Sequence, residues 1–271
     1  VLAAHPSPSA PPDPDDRWVG LLVAHPELAA GVDPDEREDA RRAVVVPAAT
    51  LVPGPWDGTC AGTRPFAVVV LDGLMARECR LAGRVSRHIA GHGDVIGLES
   101  PAEDSVGALR WHVETPTRIA VLDRRFVAAV ARWPVLVADV VRRAACWADR
   151  ASVLQAIGHL PRVEDRILAL LWHLADHWGR VGPAGVVVPL RLSHAALGSL
   201  VGARRPTVSI ALAELQQRGT VTRRGEEWVL DPASRAWLDG AVADGRDPVR
   251  RPICELPRRS AAGDDVVERL S

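Results

Sequence analysis

Apolar positions along the chain change their period more than once, and each change marks a different kind of element. From Arg42 to about Leu122 they fall into short runs broken by Gly and Pro: Ala43–Pro47, Phe66–Leu71, Leu74–Arg80, Arg84–Ile89 and Thr117–Leu122. Short strands at regular spacing with turn residues between them predict a small antiparallel barrel or β-roll. Leu136 to Leu160 then has no Pro, and no Gly before Gly158, so a helix of roughly 40 Å is expected at 1.5 Å per residue. Val137, Ala144, Ala151 and Gly158 recur every seven residues, with Val140, Trp147 and Leu154 three positions on. That is an a/d seam, which predicts a helix pairing with a second copy; the competing reading is a helix packed on its own domain. Pro161 ends it. A further helix, Val163–Trp178, carries Ile167, Leu170, Leu171 and Leu174 on one face. Trp18–Leu28 and Ala233–Val242 predict shorter helices.

The segment from Val188 to Gly219 has the densest pattern. Ser193 is placed to cap a helix, with a hydroxyl able to accept from a backbone N–H two or three residues on. Ala196, Leu197, Leu200 and Val201 give that helix one apolar face, and Gly202 follows where the chain must turn sharply. Pro206 fits the first turn of the next helix, and Val208, Ala211, Leu212 and Leu215 supply its buried face. Thr220–Leu230 alternates about Gly225 as a β-hairpin does. The pattern predicts a helix-turn-helix followed by a wing.

Charge sharpens this picture. The net charge is −1, yet from Arg191 to Arg224 there are six arginines and one acid, Glu214. Arg204, Arg205, Thr207 and Ser209 lie in the first turns of the second helix, and Arg223 and Arg224 lie at the hairpin tip. Arginine can fork onto guanine, while hydroxyls and helix-end N–H groups hold phosphate, so the expected partner is double-stranded DNA. A winged helix that binds protein, making the chain an adaptor, is the alternative. One-sided charge argues against it. All 33 basic residues are Arg, with no Lys, Asn or Tyr, so it is the clustering of arginines and not their abundance that informs.

Other features mostly exclude. Cys60, Cys79, Cys146 and Cys254 show no close spacing, which predicts isolated thiols in place of a disulfide framework or an iron–sulfur site. No apolar run reaches the length of a membrane span, and residues 1–16 lack the charged leader and apolar core of a secretory signal, so a cytoplasmic location is expected. No nucleophile elbow, P-loop, dinucleotide fingerprint or zinc spacing occurs, and the chain is not expected to be an enzyme. A cupin-like metal enzyme is the rival reading, from His88, His92, Glu99 and His112, although His88 and His92 flank a turn and so would not converge.

The run Val-Pro-Leu-Arg-Leu-Ser-His from Val188 to His194, continuing through Leu-Val-Gly-Ala at 200–203 and Arg205, Thr207, Val208 and Ser209, resembles the winged helix of the Crp/Fnr regulators. Val69–Arg77 and Gly91–Gly97 are similar to turns of that family's sensor β-roll. Residues 1–16, rich in Ala, Pro, Ser and Asp, are expected to be a disordered leader and 233–271 a partly disordered extension. Between them the resemblance implies an α+β chain with a sensor-like antiparallel β-roll (17–132), a long dimerisation helix (133–160) and a winged helix-turn-helix (161–232). It implies a homodimer on a near-palindromic site, with RNA polymerase a candidate partner. By the resemblance Arg205 reads a guanine, Pro206 fills the next base-facing slot, Thr207 and Ser209 hold phosphate, and His194 touches the backbone from the first helix. Ile210 stands where a second base-reading arginine is expected, which implies an apolar contact or a different target base.

The family's cyclic-nucleotide cassette needs a glycine–glutamate step and an arginine for the cyclic phosphate. Here Glu99 is shifted by one position and Gly107 stands in the arginine's place, with Glu103 and Asp104 nearby. A buried phosphate without its cation is disfavoured. No cofactor is therefore expected; a cyclic nucleotide, held by Glu99 and Arg110, is the alternative.

Overall fold

The computed structural model describes residues 17–60, 62, 64–98 and 108–242, which form two compact units divided within one helix, at 152/153. The expected leader, Glu99 and the tail beyond 242 lie outside the described residues.

The first unit begins with β1 (Trp18–Gly20), α1 (Leu21–Ala24), α2 (Arg37–Ala43), β2 (Val45–Leu51) and β3 (Gly54–Trp56). It continues with β4 (Ala67–Asp72), β5 (Leu74–Leu81), β6 (Arg84–Gly91), β7 (Val95–Gly97), β8 (Ala108–Val113), β9 (Thr117–Leu122), α3 (Arg124–Ala129) and α4 (Pro134–Gly158). Two antiparallel sheets, β1-β2-β9-β4-β7 and β3-β8-β5-β6, make the expected β-roll. Where a single helix is expected over Trp18–Leu28, the chain forms a strand, one helical turn and a 3-10 turn over Pro26–Ala29. Pro26 has no N–H to continue the helix, and Trp18–Gly20 finds ladder partners on β2.

Ala67–Val70 of β4 are buried without a break because their sheet is covered on both faces. Val69 joins Leu21, Leu22, Phe126, Trp133, Leu136 and Val140 in a helical layer. Val68 and Val70 point the other way, into the roll interior with Met75, Ala90, Ile96, Ile119 and Trp147. Each such aliphatic side chain contributes about 1.5–3 kcal/mol on burial.

The face of α4 is the main correction to the sequence reading. Val140, Trp147 and Leu154, taken there as the seam toward a second copy, are buried in the chain itself. Trp147 donates to the Ile89 carbonyl at 3.3 Å, stacks on His88 at 4.1 Å between centroids, and is followed by an Arg150–Asp94 ion pair at 2.5 Å. Ala144 is partly buried against the helical layer, whereas Val137 and Ala151 are exposed. A heptad pattern fixes that a helix has an apolar stripe, not what covers it. Among the cysteines Cys79 is a free thiol and Cys146 is disulfide-bonded, so the expectation of isolated thiols fails at that position.

The second unit comprises α5 (Val163–Trp178), β10 (Arg180–Gly182), β11 (Gly185–Val188), α6 (His194–Val201), α7 (Arg205–Gln217), β12 (Val221–Arg224), β13 (Glu227–Leu230) and α8 (Arg235–Val242). Its sheet, β10-β11-β13-β12, is antiparallel throughout. The wing hairpin thus continues into a second hairpin, Arg180–Val188, that the sequence pattern left out.

Candidate nucleic-acid interface

Ser193 caps α6 through its Oγ, which accepts from Ala196 N at 3.1 Å. Leu197, Gly198, Leu200 and Val201 are buried, and Gly202 takes the left-handed conformation (φ 68°) that ends the helix. Gly198 matters for a different reason: a Cβ there would lie 2.5 Å from the Ala203 carbonyl oxygen, so the two helices can close this tightly only over a glycine. α7 follows with Arg204 as N-cap residue and Pro206 in the first turn. Val208, Ala211, Leu212 and Leu215 pack toward α5, whose Ile167, Leu170 and Leu171 are fully buried.

That packing turns the other face of α7 outward. Arg204, Arg205, Pro206 and Thr207 are exposed, and Ile210 is 63% exposed, unusual for so apolar a side chain. Ala213 and Gln217 extend the same face at helical spacing; the sequence reading passed over them because neither carries charge. Ser209 is only partly exposed. Its hydroxyl donates to the Arg205 carbonyl at 3.1 Å and meets His194 Nδ1 at 2.8 Å, tying α6 to α7. Burial, then the positive charges of Arg223 and Arg205, holds the His194 pKa below its usual value, so this ring is neutral at pH 7.

The arginines are not equivalent. Arg218, at the far end of α7, pairs with Glu214 at 3.7 Å. Arg223 is folded onto the wing: its Nε donates to the Gly225 carbonyl at 3.1 Å, it pairs with Glu226 at 3.6 Å, and its guanidinium lies 5.2 Å from the buried Trp228 ring. Arg204, Arg205 and Arg224 are exposed and enter no ion pair among the described residues. Trp228 was missed as a site residue; its place in an alternating wing opposite Arg223 was the available signal.

The three histidines of the rival metal reading do not converge. His88 pairs with Arg77 across β5 and β6, His112 pairs with the neighbouring Ala76, and successive residues point to opposite faces. His92 sits in a turn with Nδ1 2.6 Å from the Leu71 carbonyl oxygen. Among the described residues no group of three or more His, Cys, Asp or Glu could hold a metal ion. Nor is any described helix long and apolar enough to cross a membrane.

A profile of the Crp-like helix-turn-helix domain matches residues 165–234, which span α5, the two helices just described and the wing. This part of the chain is a Crp-like helix-turn-helix domain. Solved structures share the fold of the chain. FixK2 from Bradyrhizobium japonicum is 20% identical with a TM-score of 0.54, the match covering 70% of this chain and 95% of that one. A CRP-family transcriptional regulator from Thermus thermophilus is 20% identical with a TM-score of 0.52, covering 71% and 96%. A mutant of CooA from Carboxydothermus hydrogenoformans is 17% identical with a TM-score of 0.55, covering 70% and 86%. No curated protein matches the chain in sequence. The Crp/Fnr-type fold accounts for both the β-roll and the winged unit, with the exposed arginines on the helix-turn-helix and wing of the matched domain.

Proposed function

We propose that this DNA-binding transcription regulator acts as a homodimer on a near-palindromic site, with α7 entering the major groove. The observation that carries the reading is the pair of exposed guanidiniums of Arg204 and Arg205 at the N-terminal turn of α7, with Arg224 on the wing, none of them in an ion pair among the described residues. In this reading Arg205 forks onto a guanine edge, Pro206 and Ile210 make apolar base contacts, and Arg204, Thr207 and Arg224 hold phosphates. His194 and Ser209 brace the first turn and reach the backbone. Arg223 mainly shapes the wing.

Dimerisation would set two recognition helices about 34 Å apart, one turn of DNA. The face of α4 left for a second copy is not the heptad seam of the sequence reading but the adjacent one, with Ala138, Val141, Ala145 and Ala148 exposed at spacings of three and four. The effector is not cyclic AMP in this proposal, since Gly107 replaces the cassette arginine. A cytoplasmic location and contact with RNA polymerase belong to the same proposal.

The test is retention of duplex DNA by the full chain as salt is raised. Binding that weakens linearly on a log–log plot, with a preferred sequence in a selection from random duplexes, supports the proposal. Salt-independent behaviour with no preferred sequence would favour the adaptor reading.

A further inference from the structure

A cavity of about 370 Å³ opens in the β-roll, walled in part by Trp56, Arg77, Leu98 and Trp111. This is within the size range of small-molecule sites. Residue parity puts its polar group there: Met75 is fully buried in the roll core, and Arg77, two residues on, shares its face of β5. Register places Arg77 opposite Trp111 on β8, and Trp111 opposite Trp56 on β3. One guanidinium and two indoles therefore form a single cross-strand row. His88 is next in that row, and its stack on Trp147 of α4 closes the end.

Among the described residues Arg77 has no counter-ion. Its guanidinium carbon lies 6.0 Å from the Trp111 ring centroid, a contact with an aromatic face in place of an acid. Glu78, next to Arg77 on β5, and Asp57, in the cavity lining, are committed elsewhere. Glu78 points to the opposite face and is held by Arg80 at 3.0 Å and Arg87 at 2.5 Å. Asp57 accepts from Thr59 N at 2.9 Å and Thr59 Oγ1 at 2.7 Å. Arg64 and Arg110 also line the cavity, so three guanidiniums face one carboxylate. A partly buried charge without a partner is costly, and a bidentate anion is the partner that fits a guanidinium fork. The indoles supply flat apolar walls that suit a ring.

We propose that the cavity binds a small aromatic carboxylate, its two oxygens on the Arg77 guanidinium and its ring against Trp56 and Trp111. The cation comes from strand β5, outside the segment where a nucleotide cassette would lie, and the site is independent of the DNA-binding reading.

The test is isothermal titration of the full chain without DNA, using 2-naphthoate, the neutral 2-naphthalenemethanol, and cyclic AMP. Saturable one-site binding of 2-naphthoate below about 1 mM is expected. The alcohol should bind at least about tenfold more weakly, because it offers no charge to the fork. Arg77→Gln should lose that preference while leaving the alcohol's affinity unchanged, and Trp111→Leu should weaken both. No saturable binding of 2-naphthoate, equal affinity for acid and alcohol, or tighter binding of cyclic AMP than of 2-naphthoate would each overturn the proposal. The wild-type comparison decides the matter even if a variant fails to fold. Duplex-DNA affinity, measured separately, tells whether the regulator reading stands irrespective of the outcome.

Discussion

Exchanging Val141 for Asp separates the two faces of α4. Val141 is 62% exposed in the single chain, whereas Val140 is 4% exposed and packs in the helical layer. One residue turns the helix by about 100°, so the two positions look in different directions. In an isolated chain Val141→Asp should change stability by no more than about 0.5 kcal/mol, as for an ordinary surface site. If a second copy covers the position, each Val contributes about 1.5–3 kcal/mol on burial, and each unpaired carboxylate buried in its place adds a further penalty. Both copies carry the change, so the dimer should lose roughly 5 kcal/mol or more, over three decades in Kd. Val140→Ala instead removes two methyl groups from the chain's own core, at a cost of about 2 kcal/mol. That corresponds to a drop of roughly 4–8 °C in Tm with no change of assembly. Sedimentation equilibrium and thermal melting at matched concentrations read both effects. A Val141→Asp protein that sediments as a dimer with the wild-type Kd would refute the assignment of this face.

The other expectations concern the DNA surface and the sensor. Arg205→Ala should cost about 1–3 kcal/mol per half-site and relax preference at one base pair, whereas equal losses on specific and random duplexes would make Arg205 a phosphate clamp. Arg224→Ala should lower the salt slope by about one unit on every duplex, while Arg223→Ala should change it less, because Arg223 is already held by Glu226 and Gly225. His194 has its pKa depressed in the free protein, so it binds fewer protons folded than unfolded, and its contribution to stability falls as pH drops below the usual histidine value. A DNA phosphate beside the ring would offset the repulsion from Arg223 and Arg205. Affinity for duplex should therefore rise as pH falls from 8 toward 6, and His194→Gln should flatten that profile in a fluorescence anisotropy titration. Millimolar cyclic AMP should leave the Tm unchanged, since a ligand of the native state stabilises it by mass action; a saturable upward shift at micromolar concentration would contradict this.

How much the sequence reveals depends on whether a local rule decides the outcome. Ser193, Gly202 and Pro206 act within a turn of their own position, so the helix-turn-helix could be read residue by residue. Leu74–Leu81 and Arg84–Gly91 were legible for the same reason, as an alternating hairpin about a Gly-containing turn. Three-residue strands such as Gly54–Trp56 and Val95–Gly97 carry too little pattern of their own and exist because a longer neighbour pairs with them. The seam of α4 failed differently. Its period was correct, but burial of Trp147 is decided by strands some sixty residues away, beyond the reach of any heptad rule. Between Arg191 and Arg224, six arginines read as one charge cluster; only the folded chain distinguishes Arg223, turned back on Trp228, from Arg224, which is not.

The exposed cations of the interface, Arg204, Arg205 and Arg224, are all guanidinium groups. An arginine stays protonated at any pH a cell reaches, and acetyl transfer, which neutralises lysine amines, has no acceptor among these side chains. The proposed grip on the phosphate backbone therefore has a fixed electrostatic setting that enzymatic acylation cannot turn down. In the proposed dimer, control over occupancy of DNA then has to come through geometry, in how two copies present their recognition helices, or through how much protein the cell makes.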